Sequence, residues 1–250
     1  MDLRNRGSAL LFLAFAAFAM SKGAALCGAQ PIASAIPHPL PSIDHILTKM
    51  AQARLENRTH LRPYNVTRQY QLLGKESEPA KALVLAKLDF APPDSKRFAI
   101  QEATGTRLGE KIVRQMLEHE TGIVKDFGAT DLSPANYEFR FVREEQLAGE
   151  NCYVLSMLPL RREKTLLSGH IWIDAKTFQL RRQEGEPAKS PSWWFRSSGI
   201  VLNYGSVHGM WLQVSSESSA DVRLVGKFKM VSHDLEYKMS EPVASNTRSQ

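Results

Sequence analysis

Cysteine is scarce in this chain of 250 residues, which contains only Cys27 and Cys152. Cys27 lies in an N-terminal segment that we expect to be removed on export, which would leave Cys152 alone. A single cysteine forms no internal disulfide, so the disulfide framework of many small secreted domains is excluded. The stability of the folded domain must therefore come from the packing of apolar side chains.

Catalytic motifs are also lacking. The sequence has no G-x-S-x-G elbow, no glycine-rich phosphate loop and no Cys-x-x-Cys pair. Glu118, His119 and Glu120 stand together, but no second histidine follows at the spacing of a zinc-binding helix. We interpret these three residues as a polar helix end, and we predict neither a metal nor a cofactor.

A hydrolase is the least favoured function. Its nearest local candidates are Ser168, His170 and Asp174, on one face of a predicted strand. Ser168 and His170 would be about 6.5 Å apart along that strand, too far for a nucleophile and its base. We therefore predict that the protein is not an enzyme and that His170 is a surface histidine.

Basic residues exceed acidic ones, with a formal charge of +6. Three of the positive charges and one negative charge lie in the first 29 residues, so the processed protein is nearer to about +4. No run of lysine and arginine is interleaved with aromatic residues, and we predict no nucleic-acid partner. The mild basicity permits weak attraction to anionic lipid head groups.

The N-terminus has the layout of a secretory signal. Two arginines precede an apolar run at residues 9–20, and small residues follow as far as Ala29. We predict a signal peptide at residues 1–29, with cleavage after Ala29 or Ala35, and a periplasmic or secreted protein. Lipid modification of Cys27 is the minority alternative, because the bulky Leu26 stands where small residues are expected.

The rest of the chain predicts one domain. Residues 30–41 form a proline-rich lead-in, residues 42–238 the folded domain and residues 239–250 a flexible tail. Helical spacing predicts a helix from the Ser42 cap to about Asn57, and another at residues 108–120 that ends at Gly122. Alternating residues predict strands at 64–72, 82–90, 97–102, 137–142, 151–158, 169–174, 178–184, 200–204, 211–216 and 222–237. This pattern is typical of an α+β protein dominated by one antiparallel sheet.

One strand face carries a large apolar surface that only two helices can cover. Its members include small Ala86 between larger neighbours, which would leave room for a ligand chain. A fully packed core and an apolar cavity are both compatible with the alternation, and the residues alone leave the two open.

Three features stand close together in the second half of the chain: Gly149 with the run from Cys152 to Pro159, the "GHIWID" strand at 169–174, and the strand from Phe178 to Gly185. Together they resemble the central strands of the outer-membrane lipoprotein-sorting proteins, the periplasmic lipoprotein carriers and their anti-sigma-regulator relatives. The resemblance extends more weakly from Ser42 to about Tyr237.

This resemblance implies a half-open barrel, in which one strongly curved antiparallel sheet holds helices against its concave face over a hydrophobic cavity. In one respect the chain departs from the classical carrier, which has an arginine just before the proline that ends an early strand and uses it to hold its lid closed. Here Ala91 precedes Pro92. The resemblance therefore does not imply energy-coupled loading of lipoproteins.

The function that the resemblance implies is a monomeric, non-enzymatic protein that binds a lipid or lipoprotein acyl chain in its cavity. An anti-sigma-regulator-like sensor with a membrane-associated protein partner is the alternative. The predicted ligand-binding residues are Tyr64, Val66, Tyr70, Val84, Ala86, Leu88, Phe90, Phe98, Ile100, Phe139, Phe141, Ile171, Ile173, Phe178 and Leu180. If Ala86 borders a void, its replacement by tryptophan should abolish ligand uptake and spare the fold.

Overall fold

The computed structural model describes residues 40–74, 79–93, 95–123, 130–190, 195–223 and 226–239. The predicted signal peptide, residues 30–39 of the lead-in and residues 240–250 of the tail lie outside these ranges. A search of the described helices finds none with the length and apolarity needed to cross a membrane.

The described chain contains two long helices and ten strands. In chain order they are α1 (Ile43–His60), β1 (Tyr64–Leu73), β2 (Ala82–Ala91), β3 (Ser95–Gly105), α2 (Arg107–Ile123), β4 (Tyr137–Leu147), β5 (Glu150–Pro159), β6 (Leu167–Asp174), β7 (Leu180–Pro187), β8 (Phe195–Val207), β9 (Met210–Val222) and β10 (Gly226–Met239).

The strands form one sheet in the order β3-β2-β1-β10-β9-β8-β7-β6-β5-β4. Every neighbouring pair in this order is antiparallel. Strands β3 and β4 are the two edges, so the sheet stays open within the described ranges. The predicted fold class, an α+β half-barrel built on one antiparallel sheet, is confirmed.

Each helix begins after a hydroxyl side chain that caps it, and the Ser42 cap of α1 is the predicted one. The Ser42 side chain accepts a hydrogen bond from the His45 backbone N–H at 3.2 Å, which satisfies one of the free donors at the start of α1. At the start of α2, the Thr106 hydroxyl accepts from the Gly109 N–H at 3.1 Å. Helix α2 continues through Gly122 to Ile123, slightly beyond the predicted stop.

Both helices lie on the same face of the sheet. Cross-strand partners share a face, and the register links Met230 of β10 through Ser218, Ile200, Gly185 and Gly169 to Met157 of β5. Met230 belongs to the buried cluster that contains α2 residues, and Met157 to the cluster that contains α1 residues. We call this side the helix-covered face and the other side the opposite face.

Two strand predictions need correction. Strand β7 begins at Leu180, because Phe178 lies in the preceding turn with a left-handed φ of 55°. Residues 222–237, predicted as one strand, belong to two: β9 ends at Val222 and β10 begins at Gly226. The alternating pattern conceals this break, because apolar residues continue through it.

Candidate ligand-binding face

The predicted ligand-binding residues fall into two groups on the helix-covered face. In the α2 group, Val66, Tyr70, Val84, Ala86 and Leu88 are buried with Val113 and Leu117 of the helix, and Tyr64, Phe98 and Ile100 pack against them half-buried. In the α1 group, Phe139, Ile171, Ile173 and Leu180 are buried with Ile46, Leu47 and Met50 of the helix, and Phe141 and Phe178 are half-buried beside them. Phe90 is half-buried and contacts the Tyr64 ring, with the ring centres 5.1 Å apart.

The structure therefore brings these residues together as two separate clusters. Ala86, where the sequence suggests free room, has no exposed surface and lies directly opposite Arg68 in the β1–β2 register. Space for a ligand chain is closed at this point while α2 is in place. The ligand-binding role of the fifteen residues remains a prediction.

Two open grooves in the described part of the chain are lined by none of the fifteen predicted residues. One, of about 240 Å³, is lined mainly by side chains of the opposite face, including His170, Glu184 and Glu217. Another, of about 230 Å³, lies beside the end of α1 and is lined by residues that include Asn57 and Trp211. The Asn57 amide pairs with both the backbone C=O and the N–H of Trp211, at 2.8 and 2.7 Å, and this fixes the end of α1 to β9.

Beneath α2, four charged side chains form an ion cluster: Arg68, Lys96, Glu120 and Asp234. Arg68 is only 4% exposed and binds Asp234 through two nitrogens, Nε to Oδ1 and a terminal nitrogen to Oδ2 at 3.1 Å. Its other terminal nitrogen lies 2.8 Å from Glu120 Oε1. Lys96 also donates to Glu120 Oε1. Charged groups from β1, β3, α2 and β10 thus meet in one buried place.

Tyrosine hydroxyls complete the hydrogen bonding of the ion cluster. Tyr70 donates to Glu120 Oε2 at 3.1 Å, and Tyr237 donates to Asp234. Burial, reinforced by the Glu120 charge, raises the pKa of Tyr70, and burial raises the pKa of Tyr64 to about 12. The Tyr70 hydroxyl therefore stays protonated at neutral pH and acts as a donor.

The positive charges keep Glu120 ionised. Burial by itself raises the pKa of the Glu120 carboxyl, but Lys96, Arg68 and the hydrogen bonds outweigh it and leave the pKa below its ordinary value. Helix α2 is therefore fastened to the sheet by a charged carboxylate as well as by apolar contacts.

The sequence interpretation missed this role of Glu120. It treated residues 118–120 as a polar helix end, yet Glu120 points to the sheet while Glu118 is exposed. The signal that was available is a lone arginine, Arg68, in the apolar series Val66, Arg68, Tyr70 of β1. A buried arginine needs an acidic partner.

Two of the three hydrolase candidates, Asp174 and His170, make structural contacts. The Asp174 side chain is 2% exposed, and it accepts from the backbone N–H groups of Lys176 and Thr177 at 2.9 and 2.8 Å and from Arg181 at 2.6 Å. This carboxylate closes the β6–β7 turn. His170 is half-buried and meets the Trp172 ring edge-on at 6.2 Å between ring centres. In the portion of the chain that the structure describes, no three side chains of the metal-binding types gather as ligands.

Trp172 supports the opposite face of the sheet. It is 5% exposed and packs with Cys152 and Val154. Its indole N–H donates to Glu145 Oε1 at 3.2 Å, and the Arg182 guanidinium lies over its ring. These contacts give Trp172 an architectural role.

We expect Trp172→Ala to lower the free energy of unfolding by about 3 kcal/mol, because it removes a buried aromatic ring from a packed cluster. Urea denaturation followed by circular dichroism measures this effect. Trp172→Phe is the milder comparison, since it keeps one aromatic ring in the cluster and loses the indole hydrogen bond, worth about 1 kcal/mol, and the packing of the second ring. An unchanged midpoint for the alanine variant would contradict the architectural role.

Comparison with known proteins gives matches only among solved structures. No family model and no curated protein matches the chain. A LolA superfamily protein from Nitrosomonas europaea matches at 12% identity with a TM-score of 0.45, over 81% of this chain and 96% of that chain. A putative outer membrane lipoprotein-sorting protein domain from Vibrio parahaemolyticus matches at 11% identity with a TM-score of 0.45, over 79% and 94% of the two chains.

A third solved structure, of a DUF1329 family protein from Desulfovibrio piger, matches at 12% identity with a TM-score of 0.40, over 82% of this chain and 96% of that chain. The first two of these solved structures belong to the kind of protein that the sequence resembles, so the resemblance is confirmed at the level of the fold. The identities are too low to transfer a function.

Proposed function

We propose that this chain is an exported, non-enzymatic protein that binds an acyl chain or a similar apolar ligand on the helix-covered face of its sheet. It carries or senses this ligand. The predicted residues of the α2 group form the apolar surface for the ligand, which enters when α2 moves away from β1, β2 and β3.

The observation that carries this proposal is the incompletely buried apolar border between α2 and the sheet. Ile112 and Met116 of the helix, and Phe98 and Ile100 of β3, face the buried α2 cluster but are only half-buried. Each exposed Å² of apolar surface costs about 25 cal/mol relative to burial, so an apolar chain that fills this border is stabilised there. The unbranched, polarisable side chain of Met116 adapts to ligands of different shape.

The direct test is ligand uptake. Protein purified from an exporting host is extracted with organic solvent, and the extract is analysed by mass spectrometry. In parallel, the delipidated protein is titrated with N-phenylnaphthylamine, a neutral apolar dye that fluoresces when it leaves water. We expect an acyl lipid in the extract and saturable dye binding.

Two leucine substitutions, each at an alanine position, locate the ligand site. Ala86→Leu adds volume on the helix-covered face, whereas Ala99→Leu adds the same volume at an exposed position of neighbouring β3. We expect Ala86→Leu to weaken dye binding about tenfold, equivalent to about 1.4 kcal/mol, and Ala99→Leu to leave it unchanged. Thermal denaturation of each variant separates lost binding from lost folding.

The absence of both extracted lipid and saturable dye binding would overturn the proposal. A packed domain that binds a protein partner, the other function implied by the sequence resemblance, would then be the better account. Equal dye binding by both leucine variants would place the ligand elsewhere than under α2.

A further inference from the structure

We infer that Arg68, Lys96 and Tyr70 form a binding site for the anionic head group of an amphiphile, and that the Glu120 carboxylate of α2 fills this site in the absence of ligand. The inference rests on the proposed function, because it assigns the polar end of the ligand whose apolar end that function describes.

Three donors converge on the Glu120 carboxylate. The Arg68 terminal nitrogen lies 2.8 Å from Oε1, the Lys96 ammonium donates to the same oxygen, and the Tyr70 hydroxyl lies 3.1 Å from Oε2. All three donors belong to the sheet, whereas the acceptor belongs to the helix. Charge-assisted hydrogen bonds of this kind recognise any carboxylate or phosphate oxygen of the same geometry. Glu120 thus occupies the position that a ligand's oxyanion would take.

The balance of charges in the ion cluster favours an anionic ligand. Asp234 stays on the sheet, where Arg68 binds it through two nitrogens. With α2 in place, Arg68 and Lys96 are only 4% and 18% exposed. When α2 lifts and withdraws Glu120, the two cations remain beside the single carboxylate of Asp234, and a ligand that takes the place of α2 buries them again. A buried charge without a partner is costly, so the open state favours a ligand that brings a negative charge.

The surroundings of the ion cluster are apolar, which makes the ligand an amphiphile rather than a small anion. Arg68 faces Ala86 across the strands, and the neighbouring pairs on the same face are Val66 with Leu88 and Tyr70 with Val84. All of these apolar neighbours are buried under α2. An anionic head group at Arg68 would place its chain along this surface. A neutral or cationic head group would leave two cations beside the single carboxylate of Asp234.

The test measures displacement of N-phenylnaphthylamine from the full-length exported protein by a series of amphiphiles with one chain length. Dodecanoate and dodecyl phosphate carry the two anionic head groups, and dodecanol and dodecyltrimethylammonium are the neutral and cationic comparisons. We expect the anionic competitors to act at about tenfold lower concentration than dodecanol. The better of the two anions distinguishes a carboxylate from a phosphate ligand.

Two substitutions change the preference for anionic over neutral amphiphiles in opposite directions. Glu120→Gln weakens the internal competitor, so dodecanoate should bind about tenfold more tightly. Dodecanol does not replace the Glu120 carboxylate and should gain only by the looser attachment of α2, so the affinity ratio of dodecanoate to dodecanol should rise. Lys96→Met removes a donor and should reduce the preference for anions about tenfold. Glu118→Gln is the matched control, because Glu118 is exposed on the same helix. Thermal denaturation confirms that each variant is folded.

The outcomes separate the two proposals. If all four amphiphiles displace the dye equally and Glu120→Gln changes nothing, the apolar site stands and the anion site is overturned. If the dye does not bind to the wild type or to any variant, the proposed function fails, and the anion site fails with it. A larger gain for dodecanoate than for dodecanol in Glu120→Gln supports both.

Discussion

Replacement of Gly169 by alanine should lower the free energy of unfolding by about 3 kcal/mol, because the added methyl group has no space. A Cβ atom at this position would lie 2.0 Å from the Glu184 carbonyl oxygen and 2.5 Å from the Gly185 Cα. Both contacts are with backbone, which cannot turn aside as a flexible side chain would. Equilibrium unfolding in urea, followed by circular dichroism, measures the loss.

The control for Gly169→Ala is Gly122→Ala. Gly122 is a helical residue of α2 where a Cβ would meet nothing within 4 Å. Alanine is the better helix former, so this substitution should stabilise the protein by about 0.5–1 kcal/mol. If Gly169→Ala is as stable as the wild type, strands β6 and β7 do not approach each other as closely as the structure shows.

Gly169 and Gly185 allow the two strands of the hairpin from Gly169 to Pro187 to approach each other closely. Gly169 and Gly185 are directly paired, and a Cβ on Gly185 would likewise lie 2.4 Å from the Ser168 carbonyl oxygen. The hairpin joins the part of the sheet covered by α1 to the strands that lead towards α2. Its residues serve the architecture, and the carboxylate of Asp174 closes its turn.

Much of this fold could be predicted from local pattern. Alternation marks the strands, and helical spacing with the Ser42 cap marks α1, because burial on one face imposes a period on the residues themselves. The division of the apolar face into two clusters could not be predicted, since the pattern shows which side chains face inwards and not which helix covers them.

Arg68 in an apolar series predicts an acidic partner, but the sequence does not show which residues form the ion cluster with it. Its members lie on four separate elements, and a bulge sets the register that joins two of them. Thr67 pairs with Glu236 but Arg68 pairs with Asp234, so Leu235 is skipped and stands 56% exposed. Without the bulge, Arg68 would face Leu235. A one-residue change of register therefore decides whether the buried arginine has its acidic partner.

Arg68→Met should be among the most destabilising substitutions in the protein, at a cost of about 3–5 kcal/mol. Methionine fills a similar volume, but it leaves Asp234, whose side chain is 2% exposed, without its two charge-assisted hydrogen bonds. Glu120 also loses its arginine partner, so the attachment of α2 weakens along with the sheet. Urea denaturation measures the first effect, and hydrogen exchange of the α2 amides measures the second.

Arg140→Met is the matched control for Arg68→Met, because it also removes an arginine from a strand ion pair. Arg140 lies 2.8 Å from Glu138, but the two side chains are 74% and 47% exposed. Water solvates both groups after the change, so the expected cost is only about 0–1 kcal/mol. The contrast isolates burial as the cause, since the chemistry of the two pairs is the same. Equal costs for the two variants would show that the ion cluster is open to water, and the anion site beneath α2 would then lose its physical basis.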